Sequence, residues 1–155
     1  MTTADEQRLI AEFRANDGHV SGVLTGTALL LLHHVGARTG TPRVTPLAYS
    51  CHRHRRMVVI ASNAGADTHP AWLHNLRAHP NVTVEVGTDT LAVRASEPDG
   101  RQRDQLWAEV VQRYPDVARF QAQTRRTIPL VVLQPRGHIE STPALASSST
   151  SPGCA

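Results

Sequence analysis

Apolar residues recur along this chain in two rhythms. Leu9, Ile10 and Phe13 sit at helical spacing behind Thr3-Ala4-Asp5-Glu6, which has the form of a capping box with Thr3 as cap and Glu6 at the third helical position. Asp17-Gly18 closes that helix, and residues 19–28, rich in glycine, serine and threonine, read as a connection or weak edge strand. From Leu29 the rhythm changes to that of strands. Leu29 to Val35, Arg43 to Tyr49 and Met57 to Ala61 predict three of them, the last continuous, β-branched and therefore buried on both faces. Cys51 to Arg56 is the hairpin between the second and third. Pro70 to Ala78 predicts a helix, with Asp67 or Thr68 as candidate caps and Pro70 in its first turn. Val82, Val84 and Val86 alternate with polar residues, Gly87-Thr88-Asp89 turns, and Leu91, Val93 and Ala95 alternate again. Asp99-Gly100 opens a helix that runs to about Arg113, Pro115 breaks it, and a shorter helix runs to about Arg126. Ile128 to Leu133 is a final buried strand.

Hairpins outnumber possible βαβ units in this order. The expected fold is therefore α+β, a mainly antiparallel small barrel with helices packed around it rather than a doubly wound parallel sheet. At 155 residues the chain makes one domain with a real core, placed at residues 1–135. Residues 136–155, rich in serine, threonine, proline and alanine, bury too little to order themselves and read as a flexible tail. A hydrophobic share of 40% and a charged share of 19% are those of a soluble globular domain. No window reaches the ~18 apolar residues of a membrane span, and the N-terminus has no secretion signal, so cytoplasmic is the default. Cys51 and Cys154 have neither metal-like nor redox-like spacing.

The chemistry gathers in two loops. Gly36 to Leu47 places Arg38 and Arg43 in a glycine-bounded turn after an apolar strand. Glycine lets backbone N–H groups approach an anion closely, and arginine offers phosphate a planar fork. Ala61 to Trp72 repeats the logic with small residues ahead of a helix. Two such loops predict a pocket for a phosphorylated, partly aromatic cofactor. All 16 cationic side chains are arginine, and the net charge of +3 suits an acidic small molecule while falling short of nucleic-acid binders. The run His52-Arg53-His54-Arg55-Arg56 reads as a solvated hairpin tip rather than a metal or nucleic-acid site. Of His33 and His34, neighbours in one strand, one points inward as a hydrogen-bonded core residue. The chain has no G-x-G-x-x-G, G-x-S-x-G or Walker loop, which argues against dinucleotide binding of that type, serine hydrolysis and NTP hydrolysis.

Four blocks taken together, residues 29–49, 59–86, 106–115 and 126–135, give the chain a resemblance to the deazaflavin-dependent nitroreductase family of actinobacteria. These are split β-barrel oxidoreductases, flavin-reductase-like in fold, that bind the 8-hydroxy-5-deazaflavin coenzyme F-420. The resemblance implies that Arg38, Thr39 and Arg43 grip the phosphate and acidic tail of the coenzyme. It implies that Pro46, Leu47, Ser62, Asn63, Ala64, Gly65, Ala66, Pro70, Ala71, Trp72 and Asn75 line its ring. Ala37 and Asn63 stand where basic residues are usual in the family. Of the tyrosines that family members bring to the substrate pocket only Tyr114 is present. Val117 and Phe120 follow it at the other equivalent positions, and Ala48 with Tyr49 stands after the Pro-Leu pair.

The implied activity is hydride transfer between the deazaflavin and a small organic substrate: a quinone, an activated enone or a nitro compound. Tyr114 or solvent supplies the proton, a structural hydroxyl anchor being the other reading of Tyr114. No metal and no nucleic acid are expected. FMN as the cofactor of a split barrel, and a non-catalytic deazaflavin carrier, stay open as alternatives, as do a homodimer and contact with a membrane surface.

Overall fold

A computed structural model describes residues 3–21 and 27–140. Its elements are α1 (Thr3–Ala15), β1 (Leu29–Val35), β2 (Pro42–Ala48), β3 (Ser50–His52), β4 (Arg56–Ile60), α2 (Ala71–Ala78), β5 (Asn81–Val86), β6 (Asp89–Ser96), α3 (Gly100–Arg113), α4 (Asp116–Ala122) and β7 (Leu130–Glu140). The strands form one sheet in the order β2-β1-β5-β6-β7-β4-β3, and every recorded pairing is antiparallel. Its two edges, β2 and β3, are consecutive in the chain and separated only by Tyr49. A sheet can place its opposite edges one residue apart only by rolling up. The result is a barrel sewn at Tyr49 and open along the rest of the seam, where β2 lies against β4.

Alternation sorts the apolar side chains onto two faces. Leu30, Leu32, Met57, Val59, Val84, Val93, Val131 and Leu133 fill the interior, and α2 adds Trp72, Leu73 and Leu76 to the same core. The outward residues Val58, Leu130 and Val132 pack beneath Leu106 and Val110 of α3 and Val117 of α4. Leu29 and Leu31 receive Ile10 and Phe13 of α1. Among the described residues no helix is long and apolar enough to cross a membrane.

The expected α+β antiparallel barrel is the fold found, with several differences of detail. Ser50–His52 is a strand of its own, paired to β4 through a turn in which His54 and Arg55 have positive φ, as a tight hairpin of that twist requires. α4 stops at Ala122, short of Arg126, because Gln121 turns its side chain to the following segment and bonds the Ile128 N–H and the Arg126 carbonyl. β7 continues past Pro135 to Glu140, since β6 offers it partners as far as Thr90. The connection at 22–26 and the rest of the tail, with Cys154, lie outside the described residues.

Candidate functional site

The β1–β2 hairpin carries the first loop. β1 shares a ladder with β5 only from Leu31 to His33, so the hairpin beyond His34 projects past the body of the sheet. The loop is closed internally by Gly36 N–H to the Thr41 carbonyl (3.0 Å) and Gly40 N–H to the Gly36 carbonyl (2.8 Å). The Thr39 hydroxyl accepts from Thr41 N–H at 3.2 Å. Its moorings to the body are polar. Ala37 N–H donates to Asn75 Oδ1 of α2 (2.9 Å), Asn75 Nδ2 lies 2.9 Å from His34 Nδ1, and His34 Nε2 lies 2.8 Å from Thr45 Oγ1. A backbone N–H can only donate, so the Asn75 oxygen accepts and its amide nitrogen donates to His34. His34 is therefore neutral with its proton on Nε2, directed at Thr45. Burial, with Arg43 and His33 nearby, lowers its pKa to about 4, which agrees. His34 is the inward histidine that the sequence required, and His33 turns outward to Glu85 (2.6 Å).

Strand register puts Arg43, Thr45 and Leu47 opposite His34, Leu32 and Leu30, on the interior side of the hairpin. Pro46 pairs with Leu31 on the other side, so of the Pro46–Leu47 pair only Leu47 packs on the main core. Arg38 and Arg43 are exposed. Among the described residues neither makes a side-chain hydrogen bond or ion pair, which distinguishes them from Arg14, Arg77 and Arg126.

The second loop lies between β4 and α2. Asn63, Ala64 and Gly65 all have positive φ (48°, 55° and 84°). Ser62 is right-handed helical, so Ser62-Asn63 forms the right-then-left pair that turns successive N–H groups toward one concavity. A side chain at Gly65 is disfavoured: a Cβ there would displace the Gln123 carboxamide, and its φ of +84° is one that side chains rarely adopt. The loop is held from outside by the segment after α4. Arg126 donates to the carbonyls of Ser62 (2.8 Å), Ala66 (2.8 Å) and Ala61 (3.1 Å), and its Nη1 is 2.9 Å from His69 Nδ1. Thr124 bonds Asp67 at 2.7 Å. Burial and the Arg126 charge hold His69 below the usual histidine range.

The remaining expected residues are dispersed. Pro70 caps α2 and Ala71 is exposed, whereas Trp72 is 7% exposed and belongs to the interior core. Tyr49 is buried in that same core, Val117 in the outer core under α3, Phe120 is half-buried and Ala48 exposed. Tyr114 donates its hydroxyl to the Tyr49 carbonyl at 3.0 Å and so pins the α3–α4 junction to the sewn corner of the barrel.

Ser50 Oγ, His52 and Glu109 stand in line at 2.8 and 2.7 Å. Ser50 is 3% exposed, and the chain ties α3 to β3. His52 is thus built into the fold, unlike the solvated tip expected for residues 52–56. Among the described residues no group of three or more metal-ligating side chains converges. A cavity of about 660 Å³ opens between α1 and the diverging ends of β1 and β5, with Arg14, His33, Arg43 and His79 in its wall.

The β1–β2 hairpin, bearing two unpaired arginines, is thus joined through Asn75 to the helix that follows the second loop. The F420H(2)-dependent quinone reductase family model matches residues 6–135. Rv1261c of Mycobacterium tuberculosis, which carries the same description, is 35% identical over 133 residues, covering 81% of this chain and 87% of its own. A solved F420-H2 dependent reductase is 31% identical with a TM-score of 0.63, covering 69% of this chain and 94% of that one. A domain-swapped dimer is 30% identical with a TM-score of 0.65, covering 84% and 96%. The chain belongs to the F420H(2)-dependent quinone reductase family, oxidoreductases whose coenzyme is the deazaflavin F-420.

Proposed function

We propose that this protein takes hydride from reduced coenzyme F-420 and delivers it to a quinone. The observation that carries the reading is the pair Arg38 and Arg43, two exposed guanidinium groups without an acidic partner among the described residues. Arg38 stands in the turn of a hairpin moored to α2, and Arg43 in the first rungs of β2 beside it. Unpaired forks at that position fit the phosphodiester and carboxylates of the coenzyme. Neutral His34 beside Arg43 adds no competing charge. Small backbone at Ser62 to Ala66 admits the edge of a flat ring.

When bound, the coenzyme supplies an obligate two-electron hydride donor. The protein's task is orientation and exclusion of water. A quinone accepts hydride at one oxygen or ring carbon and one proton to become a hydroquinone. The Tyr114 hydroxyl directs its proton at the Tyr49 carbonyl, and this reading assigns the proton to water. Ala48 and Phe120, the residues that the family resemblance assigns to the acceptor, are uncharged and suit a neutral quinone ring.

The test is anaerobic mixing of purified protein and reduced coenzyme with a benzoquinone, a naphthoquinone, an activated enone and a nitroarene. Recovery of oxidised-coenzyme absorbance should be fastest with the quinones and should fail at low coenzyme in Arg38→Ala/Arg43→Ala. Turnover confined to enones or nitroarenes overturns the substrate assignment. Tighter binding of FMN than of the deazaflavin overturns the reading as a whole.

A further inference from the structure

We infer that Arg126 is a positioning residue for coenzyme binding, one that shapes the Ser62–Ala66 loop without touching the coenzyme; the inference rests on the reading above. Its guanidinium takes three carbonyls of that loop, those of Ala61, Ser62 and Ala66, and reaches the His69 ring as well. Carbonyls drawn to one side leave the N–H groups facing the other. Among the described residues the N–H groups of Ser62, Asn63 and Ala64 have no acceptor, and the conformation at Ser62-Asn63 converges them on one point.

Left-handed backbone at Asn63 and Ala64 costs free energy and persists only where the surroundings over-determine it. The arginine supplies that determination. Its planar fork bonds oxygens on two edges at once, which a lysine ammonium cannot reproduce. The same cation stands behind the concavity and favours an anion in front of it. Thr124 on Asp67 and Gln123 against Gly65 complete the outer brace. Residues 123–126 thus set a surface that they do not themselves line.

Arg103 provides the control. It also donates to a backbone carbonyl of the neighbouring segment, Ile128 at 2.8 Å, but it makes no bond to the loop. Two measurements on Arg126→Gln, Arg126→Lys and Arg103→Gln separate positioning from general weakening. In the coenzyme-free protein, amide exchange and amide shifts across residues 61–69 should change in Arg126→Gln and stay as wild type in Arg103→Gln. In titrations with oxidised coenzyme F-420, Arg126→Gln should raise Kd about tenfold or more, with Arg126→Lys between it and wild type. Its kcat at saturating coenzyme should stay within about twofold while the coenzyme KM rises. Wild-type affinity in Arg126→Gln, or equal loss in Arg103→Gln, overturns the inference while leaving the functional reading intact. A wild-type protein that does not bind the coenzyme overturns both, whatever the amide data show.

Discussion

At the scale of single residues, two positions carry more constraint than their size suggests. His34 is neutral in the folded protein and ionises only near pH 4, whereas in the unfolded chain it ionises near 6.5. Below pH 6.5 the unfolded state therefore binds the extra proton, and stability is lost as pH falls from 6.5 toward 4. That loss is on the order of 3 kcal/mol when complete. Urea midpoints measured between pH 7 and 4.5 should drop with this slope, and His34→Gln should flatten it. Gly65 has a positive φ with the Gln123 carboxamide where a Cβ would go. Gly65→Ala should cost roughly 1–3 kcal/mol in thermal unfolding and weaken coenzyme binding by disturbing the adjacent N–H groups.

At the scale of elements, the corner where β2 passes into β3 is the point on which others depend. Tyr114 reaches it from the end of α3 with one hydroxyl bond. Tyr114→Phe should lower stability by about 1 kcal/mol and leave the rate of hydride transfer at saturating coenzyme within about twofold. A loss of two or more orders of magnitude in that rate would identify the hydroxyl as the proton source instead. Alternating apolar residues made β5 and β6 plain in the sequence, and continuous apolar runs did the same for β1 and β4. The end of β7 was hidden because pairing with β6, far earlier in the chain, leaves no local mark. The same distinction divides the site. Arg38 and Arg43 were legible because glycine and arginine announce themselves locally. Arg126 was not, because its partners are backbone carbonyls 60 to 65 residues away, and a carbonyl leaves no mark in a sequence. The bonds joining Asn75 to Ala37 and His34, 38 and 41 residues apart, were hidden for the same reason.

At the scale of the whole molecule, the proposed grip on the coenzyme's acidic tail rests on charge exposed on the β1–β2 hairpin. Exposed charges are screened by salt within a Debye length of about 8 Å at physiological ionic strength. Coenzyme affinity should therefore fall as salt rises, and Arg38→Ala/Arg43→Ala should remove most of that dependence. Titrations at 50 and 500 mM sodium chloride would show it. The body of the barrel holds this hairpin out past the shared ladder of β1 and β5. Because β1 and β5 part company after His33, residues 36–41 share no rung with the rest of the sheet. Their tether is the Ala37 N–H, a group that every residue except proline possesses. Grip and scaffold are consequently separable inheritances. Outside Gly36 and Gly40, which the turn requires, the charge carried by the tip is free to drift while the fold that presents it stays as it is.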